Sequence, residues 1–173
     1  MSASFQARHR TTAIQFGAAV VGAVFLLVGA AGFIPGITSN TDTLEFAGRD
    51  SSAELLGIFQ VSVLHNIVHL AFGVLGLLAY RSAKASALYL YGGGVLYLVL
   101  TLYGAAIDLG EEANFVPVNT ADNWLHLALG LGMIALAAIL ARATMDAADE
   151  LPEADQPSAR RRAAARQPRG QHA

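Results

Sequence analysis

The sequence predicts an all-α fold: an integral membrane four-helix bundle made of two tandem helical hairpins. Three observations carry this expectation. First, only 14% of the 173 residues are charged and 54% are hydrophobic, and the mean hydropathy is +0.47. A soluble domain carries about 25% charged residues, so lipid is the better solvent for this chain. Second, four stretches contain no Asp, Glu, Lys or Arg: residues 13–34, 63–80, 86–107 and 124–141, which are 22, 18, 22 and 18 residues long. Roughly 20 apolar residues in a helix cross a hydrocarbon core. A helix also bonds every backbone group within its own segment, as lipid requires. Third, the second and fourth stretches repeat one pattern. Asn66-Ile67-Val68-His69-Leu70-Ala71-Phe72-Gly73 and Asn123-Trp124-Leu125-His126-Leu127-Ala128-Leu129-Gly130 both read N-x-x-H-L-A-x-G, 57 residues apart. Two spans per unit leave both units in the same orientation, which is a parallel internal repeat.

The elements follow in order. Residues 1–12 form a short basic N-terminus with Arg8 and Arg10, and the four-helix domain is expected over 13–141. The first apolar run is too long for a typical signal peptide, and more spans follow it. Pro35 and Gly36 close the first helix. The loop 35–62 is polar at its centre, and its segment 54–61 (ELLGIFQV) is too short to span. That segment is expected at the interface as a helical turn or extended chain. Ser62 is placed to cap the second helix, and Asn119 or Thr120 the fourth. Trp124 on one side and Tyr80, Tyr89 and Tyr91 on the other fit the headgroup levels that indole and phenol rings prefer. Gly92, Gly93 and Gly94 could weaken the third helix near its inner end. Residues 142–173 start acidic, end in an Arg-Ala-Pro run and lack large apolar residues, so a disordered tail is expected.

Charge placement sets the orientation. Arg8, Arg10, Arg81, Lys84 and the C-terminal arginines fall on one side, leaving only Arg49 on the other. The positive-inside rule makes both termini cytoplasmic. The net charge of −2 hides this segregation. The outer loops set Arg49 against eight carboxylates, and the inner side holds ten basic residues against five. The bilayer is the expected partner. A small Gly-rich bundle also suits a homo-oligomer, and no aromatic or fold motif accompanies the tail arginines to suggest nucleic acid.

Intramembrane polar residues mark the site. His65, His69, Gly73 and Gly76 share one helix face, as do Asp122, His126, Gly130 and Met133. The reading favoured by the duplication is a structural polar cluster of Asn66, Asn123, His69, His126, Gly73 and Gly130. Here amide and imidazole groups bond across helices and glycines admit a neighbouring backbone. Two sharper alternatives stand beside it. His65, His69, His126 and Asp122 could ligate a metal ion, or His69 and His126 could be axial ligands of a haem. An acidic outer face above the histidines favours a cation if anything binds. Absent cysteine excludes disulfides and thiolate sites. No serine has an adjacent base and a marked oxyanion loop, so hydrolase chemistry has little support.

At LHNIVHLAFGVLGL (64–77), GGGVLYLVLTLYG (92–104) and NFVPVNTADNWLHLALGLGMI (114–134) the chain resembles the four-span bacterial membrane proteins known as domain of unknown function 4383. The resemblance covers roughly residues 12–141. That family often has a proline where this chain has Val63. The resemblance implies four membrane helices and no particular activity. A looser likeness to DoxX-type four-helix membrane proteins is one of architecture only.

Overall fold

A computed structural model of the protein describes residues 11–149. Four helices dominate: α1 (Ala13–Ala31), α2 (Val63–Ala79), α3 (Ala83–Ala106) and α4 (Thr120–Asp149). α1, α3 and α4 are long and apolar enough to cross a membrane, and α2 is a shorter apolar helix of 17 residues. At 1.5 Å per residue α2 is still about 26 Å long. α1 packs chiefly on α2 and α3 chiefly on α4, so the four helices form two hairpins.

Glycine sets the distance within each hairpin. A Cβ at Gly22 would lie 2.8 Å from the Gly73 carbonyl oxygen, and one at Gly94 would lie 2.8 Å from that of Gly130. Only glycine admits backbones this close, which is how small residues drive packing between apolar helices. α3 runs unbroken through Gly92–Gly94, contrary to the expected weakening. Gly93 and Gly94 face Met133 and Ile134 of α4, and only Gly92 borders open space. Between the hairpins lies a core that includes Ile14, Phe25, Leu90, Tyr97 and Met133. Tyr89 belongs to this core rather than to a headgroup level: it is buried, packed on Phe72 at 4.8 Å and set against Gly76.

Most turn and cap expectations find their hydrogen bonds. The Ser62 hydroxyl accepts from the His65 N–H at 3.1 Å, and Ser82 caps α3 likewise. The next donors of α2 are met by loop backbone: Val63 N–H donates to Glu45 O and Leu64 N–H to Phe46 O. All the orphan amides of its first turn are thereby satisfied. At the opposite end Gln15 Nε2 donates to Tyr80 O at 2.7 Å, tying the start of α1 to the end of α2.

The long connection holds more structure than its composition suggests. β1 (Thr38–Ser39), β2 (Glu54–Leu55) and β3 (Phe59–Gln60) form a small antiparallel sheet in the order β1-β2-β3. Segment 54–61 is thus a β-hairpin, the extended one of the two expected forms. Ala53, Leu55 and Val61 build a second small core over Val28 and Ala31 of α1. This connection and the segment after α3 join into one cap. Gly48 N–H donates to Phe115 O at 2.7 Å, Arg49 Nη1 to Gly110 O, and Asn119 Nδ2 to Ile58 O at 2.8 Å. The Asn114 amide clips its own loop by donating to Leu109 O and Val118 O and accepting from Val118 N–H.

α4 continues to Asp149, so residues 142–149 are helical where a disordered tail was expected. The N-terminal Arg8 and Arg10 and the arginine cluster from Arg160 to Arg169 lie outside the described residues.

Candidate functional site: a histidine cluster beneath the cap

The repeated motif places its side chains under the cap, where α2 and α4 begin. The helical spacing holds: His65, Asn66, Gly73 and Gly76 of α2 are buried, as are Asp122, His126, Gly130 and Met133 of α4, and His69 is half-buried. His65 and His69 rings meet edge-on with centroids 4.5 Å apart, and the His126 ring lies 6.4 Å from His65. Three imidazoles from two hairpins therefore share one place.

Asp122 is the best-bonded member. Its Oδ2 accepts from the Asn119 N–H at 2.9 Å and from the Gln60 N–H at 3.0 Å. The Asn119 Oδ1 in turn accepts from the Asp122 N–H at 2.9 Å. This is a reciprocal N-terminal cap, and the helix dipole adds to it by favouring negative charge in the first turn. It also bonds α4 to β3 of the cap. Of the two capping residues considered, Asn119 takes the role.

Asn66 and Asn123 behave otherwise than expected. Neither bonds across helices among the described residues. The buried amide atoms of Asn66 and the Oδ1 of Asn123 have no hydrogen-bond partner there. Each amide is instead seated on a glycine of the paired helix. A Cβ at Gly32 would fall on the Asn66 amide, and one at Gly104 on that of Asn123. The glue is close packing, and the hydrogen bonding falls to Asp122, Asn119 and Gln60.

The aromatic residues around the cluster were not singled out by the sequence. Phe25 lies 5.6 Å from His69, Tyr97 lies 5.3 Å from His126, and Phe25 and Tyr97 stack at 5.6 Å with planes 14° apart. Comparing α1 with α3 would have found them. Phe25 and Tyr97 are 72 positions apart, as are Gly22 and Gly94, and Gly32 and Gly104.

These contacts test the sharper alternatives. A haem ligated by His69 and His126 needs open space for a macrocycle, and the Phe25–Tyr97 stack links the two imidazoles instead. The residues present do not fit that group. For a metal ion, no three His, Asp or Glu side chains among the described residues converge as ligands.

A cleft of about 370 Å³ runs along the seam between α1 and α4 and ends on His65, His69, Asp122 and His126. Val24, Val28, Leu129 and Met133 help wall it, and Leu55, Phe59 and Val61 of the cap roof it. A second cavity of about 50 Å³ lies on the other side of the histidines, between α2 and α3.

Fold and site together define an all-helical, four-helix protein with three helices of membrane-crossing length and a buried histidine cluster under an ordered cap. The chain belongs to the family described as Domain of unknown function (DUF4383), whose profile matches residues 15–139. No curated protein and no solved structure matches it.

Proposed function

We propose that this is a multi-pass integral membrane protein of the bacterial plasma membrane, with both termini cytoplasmic and a parallel internal repeat. In it the His/Asn/Asp cluster serves first as a structural junction between the bundle and an outer cap. Membrane insertion is supported by what the helices expose. Phe16 and Leu27 of α1, Leu88 and Leu102 of α3, and Leu131 and Ile139 of α4 are each more than half exposed. A soluble monomer rarely leaves so continuous an apolar surface. The repeat is supported by paired contacts: Gly22 with Gly73 and Gly94 with Gly130, Gly32 with Asn66 and Gly104 with Asn123.

The observation that carries the junction reading is the double acceptance by Asp122, which ties the start of α4 to the cap strand β3. Hydrogen bonds to a charged group contribute about 1.5–3 kcal/mol each. Asp122→Ala, which removes both, should therefore destabilise the detergent-solubilised protein by about 3–6 kcal/mol. It should also speed amide exchange of the cap residues around Gln60. His69→Ala and His126→Ala, which empty space beside Phe25 and Tyr97, should lower the melting temperature as well. If the three variants melted with the wild type and cap exchange stayed slow, the junction reading would be wrong.

A further inference from the structure

The two seams beside the histidine cluster are built from corresponding positions but differ in volume. Val24, Val28 and Leu129 wall the α1/α4 cleft, where Leu96, Leu100 and Phe72 wall the α2/α3 cavity. In each pair the second side chain is the larger. Gly132 lines the cleft, and a Cβ there would meet nothing within 4 Å. Its counterpart 57 residues earlier is Leu75. At these three wall positions the larger side chains stand on the α2/α3 side, although Leu125 of the cleft is larger than its counterpart Val68, and the open volume is left along α1 and α4.

The open seam is polarised along its length. Its polar end, under the cap, has His65, His69, Asp122 and His126. From there to Leu136 the lining is aliphatic apart from Phe25 and Met133. Asp122 to Leu136 spans about 21 Å of helix rise. Val20 and Val24 of the lining are about half exposed, so the cleft opens sideways between α1 and α4.

The chemistry of the polar end selects the head of a ligand. His65 and His126 are only 5% and 4% exposed. The Nδ1 atoms of His65, His69 and His126 are buried without a hydrogen-bond partner among the described residues. A neutral imidazole offers one N–H donor and one bare nitrogen acceptor. Left unmatched, each buried polar group costs about 1–3 kcal/mol. The Asp122 charge is already met by two backbone N–H groups and a helix N-terminus, so the site does not need a cation. A carboxylate head would be repelled by Asp122, and an ammonium head would have to shed its hydration for a carboxylate whose charge is already met. A hydroxyl can donate to an Asp122 carboxylate oxygen and accept from an imidazole N–H that faces the cleft, at lower desolvation cost.

We propose that the α1/α4 cleft binds a neutral lipophilic hydroxyl compound, its hydroxyl on the His65/His69/His126/Asp122 cluster and its apolar body along α1 and α4 toward Leu136. Access to the cleft from lipid rests on the membrane reading above; the cleft and its polar end do not.

The test uses the full chain in lipid nanodiscs, with 4-nonylphenol as probe and native mass spectrometry as readout. One molecule per chain should bind saturably. Binding should fall at least tenfold for the methyl ether 4-nonylanisole, which has lost the donor. It should also fall at least tenfold in Gly132→Leu, whose melting temperature should be equal to or above that of the wild type. If Gly132→Leu melts lower, the double variant Val24→Leu/Val28→Leu, which copies the filled seam, takes its place. Equal binding by the wild type and the filled-cleft variant would overturn the site. Equal binding of the ether, or preferred binding of nonylamine, would overturn the head group assigned to it. Carbonate extraction of cell membranes tests the membrane reading separately: release of the chain alongside selective phenol binding would sink insertion and leave the site standing.

Discussion

At the scale of single residues, the cluster divides into side chains held by hydrogen bonds and side chains held by shape. Asp122 is the first kind. Asn66 and Asn123 are the second, each lying where a Cβ on Gly32 or Gly104 would have to be. That arrangement makes a sharp prediction. Gly32→Ala forces a methyl group into the Asn66 amide and should cost about 1–3 kcal/mol, the usual penalty for overpacking. Asn66→Ala in the same chain removes the obstacle, so the double variant should be more stable than the sum of the single effects implies. Chemical unfolding in detergent measures all four states, and simple additivity would mean that the glycine serves some other end. Gly104→Ala with Asn123→Ala should behave in the same way. The positions of Asn66, His69, Asn123 and His126 could be read from the repeated motif, because helical spacing alone puts them on one face. Their partners could not. Gly32, Gly104, Phe25 and Tyr97 act through another helix, and neither α1 nor α3 carries an Asn, His or Asp to flag them.

At the scale of elements, charge-free runs located the helices because only uncharged residues are cheap to place along a whole apolar helix. The ends were less legible. α3 begins at Ala83 and so includes Lys84, and α4 extends past Arg142. A helix that emerges from an apolar layer keeps its hydrogen bonds but no longer needs apolar side chains. The cap was least legible, since strands of two residues have no periodicity to read and are fixed by bonds to distant loops. Within the helices, the glycines separate into two kinds with opposite expected behaviour. Gly130 lies against backbone and Leu98, with the Gly94 carbonyl oxygen 3.0 Å from any added Cβ. Backbone cannot move aside as a side-chain tip can. Gly130→Val should therefore part α3 from α4 and lower the melting temperature by many degrees. Gly92 meets nothing, so Gly92→Ala should leave the fold intact and add up to about 1 kcal/mol of helix propensity. Comparing the two variants in one denaturant series checks the assignment. Equal losses would show that the close approach of the helices is not what these glycines provide.

At the scale of the whole molecule, the same segregation that hides in a net charge of −2 predicts how the chain lies in a bilayer. The cap is built from the two connections that carry seven carboxylates and the single Arg49, with Asp122 in the first turn of α4 beneath it. The short connection between α2 and α3 lies at the other end, next to Arg81 and Lys84. Moving lysine or arginine across the membrane is the disfavoured step during insertion, so the cap should be the translocated side. The absence of cysteine makes this directly measurable, because every introduced thiol is unique. Ser39 and Thr43 are exposed in the cap, and Ser82 caps α3 at the opposite end. Single variants Ser39→Cys and Thr43→Cys should react in intact spheroplasts with a maleimide that cannot cross the membrane. Ser82→Cys should react only after the membrane is opened. The opposite labelling pattern would invert the protein. It would also put the hydroxyl-binding end of the cleft in the cytoplasmic leaflet, changing which lipids can reach it without changing the chemistry that selects among them.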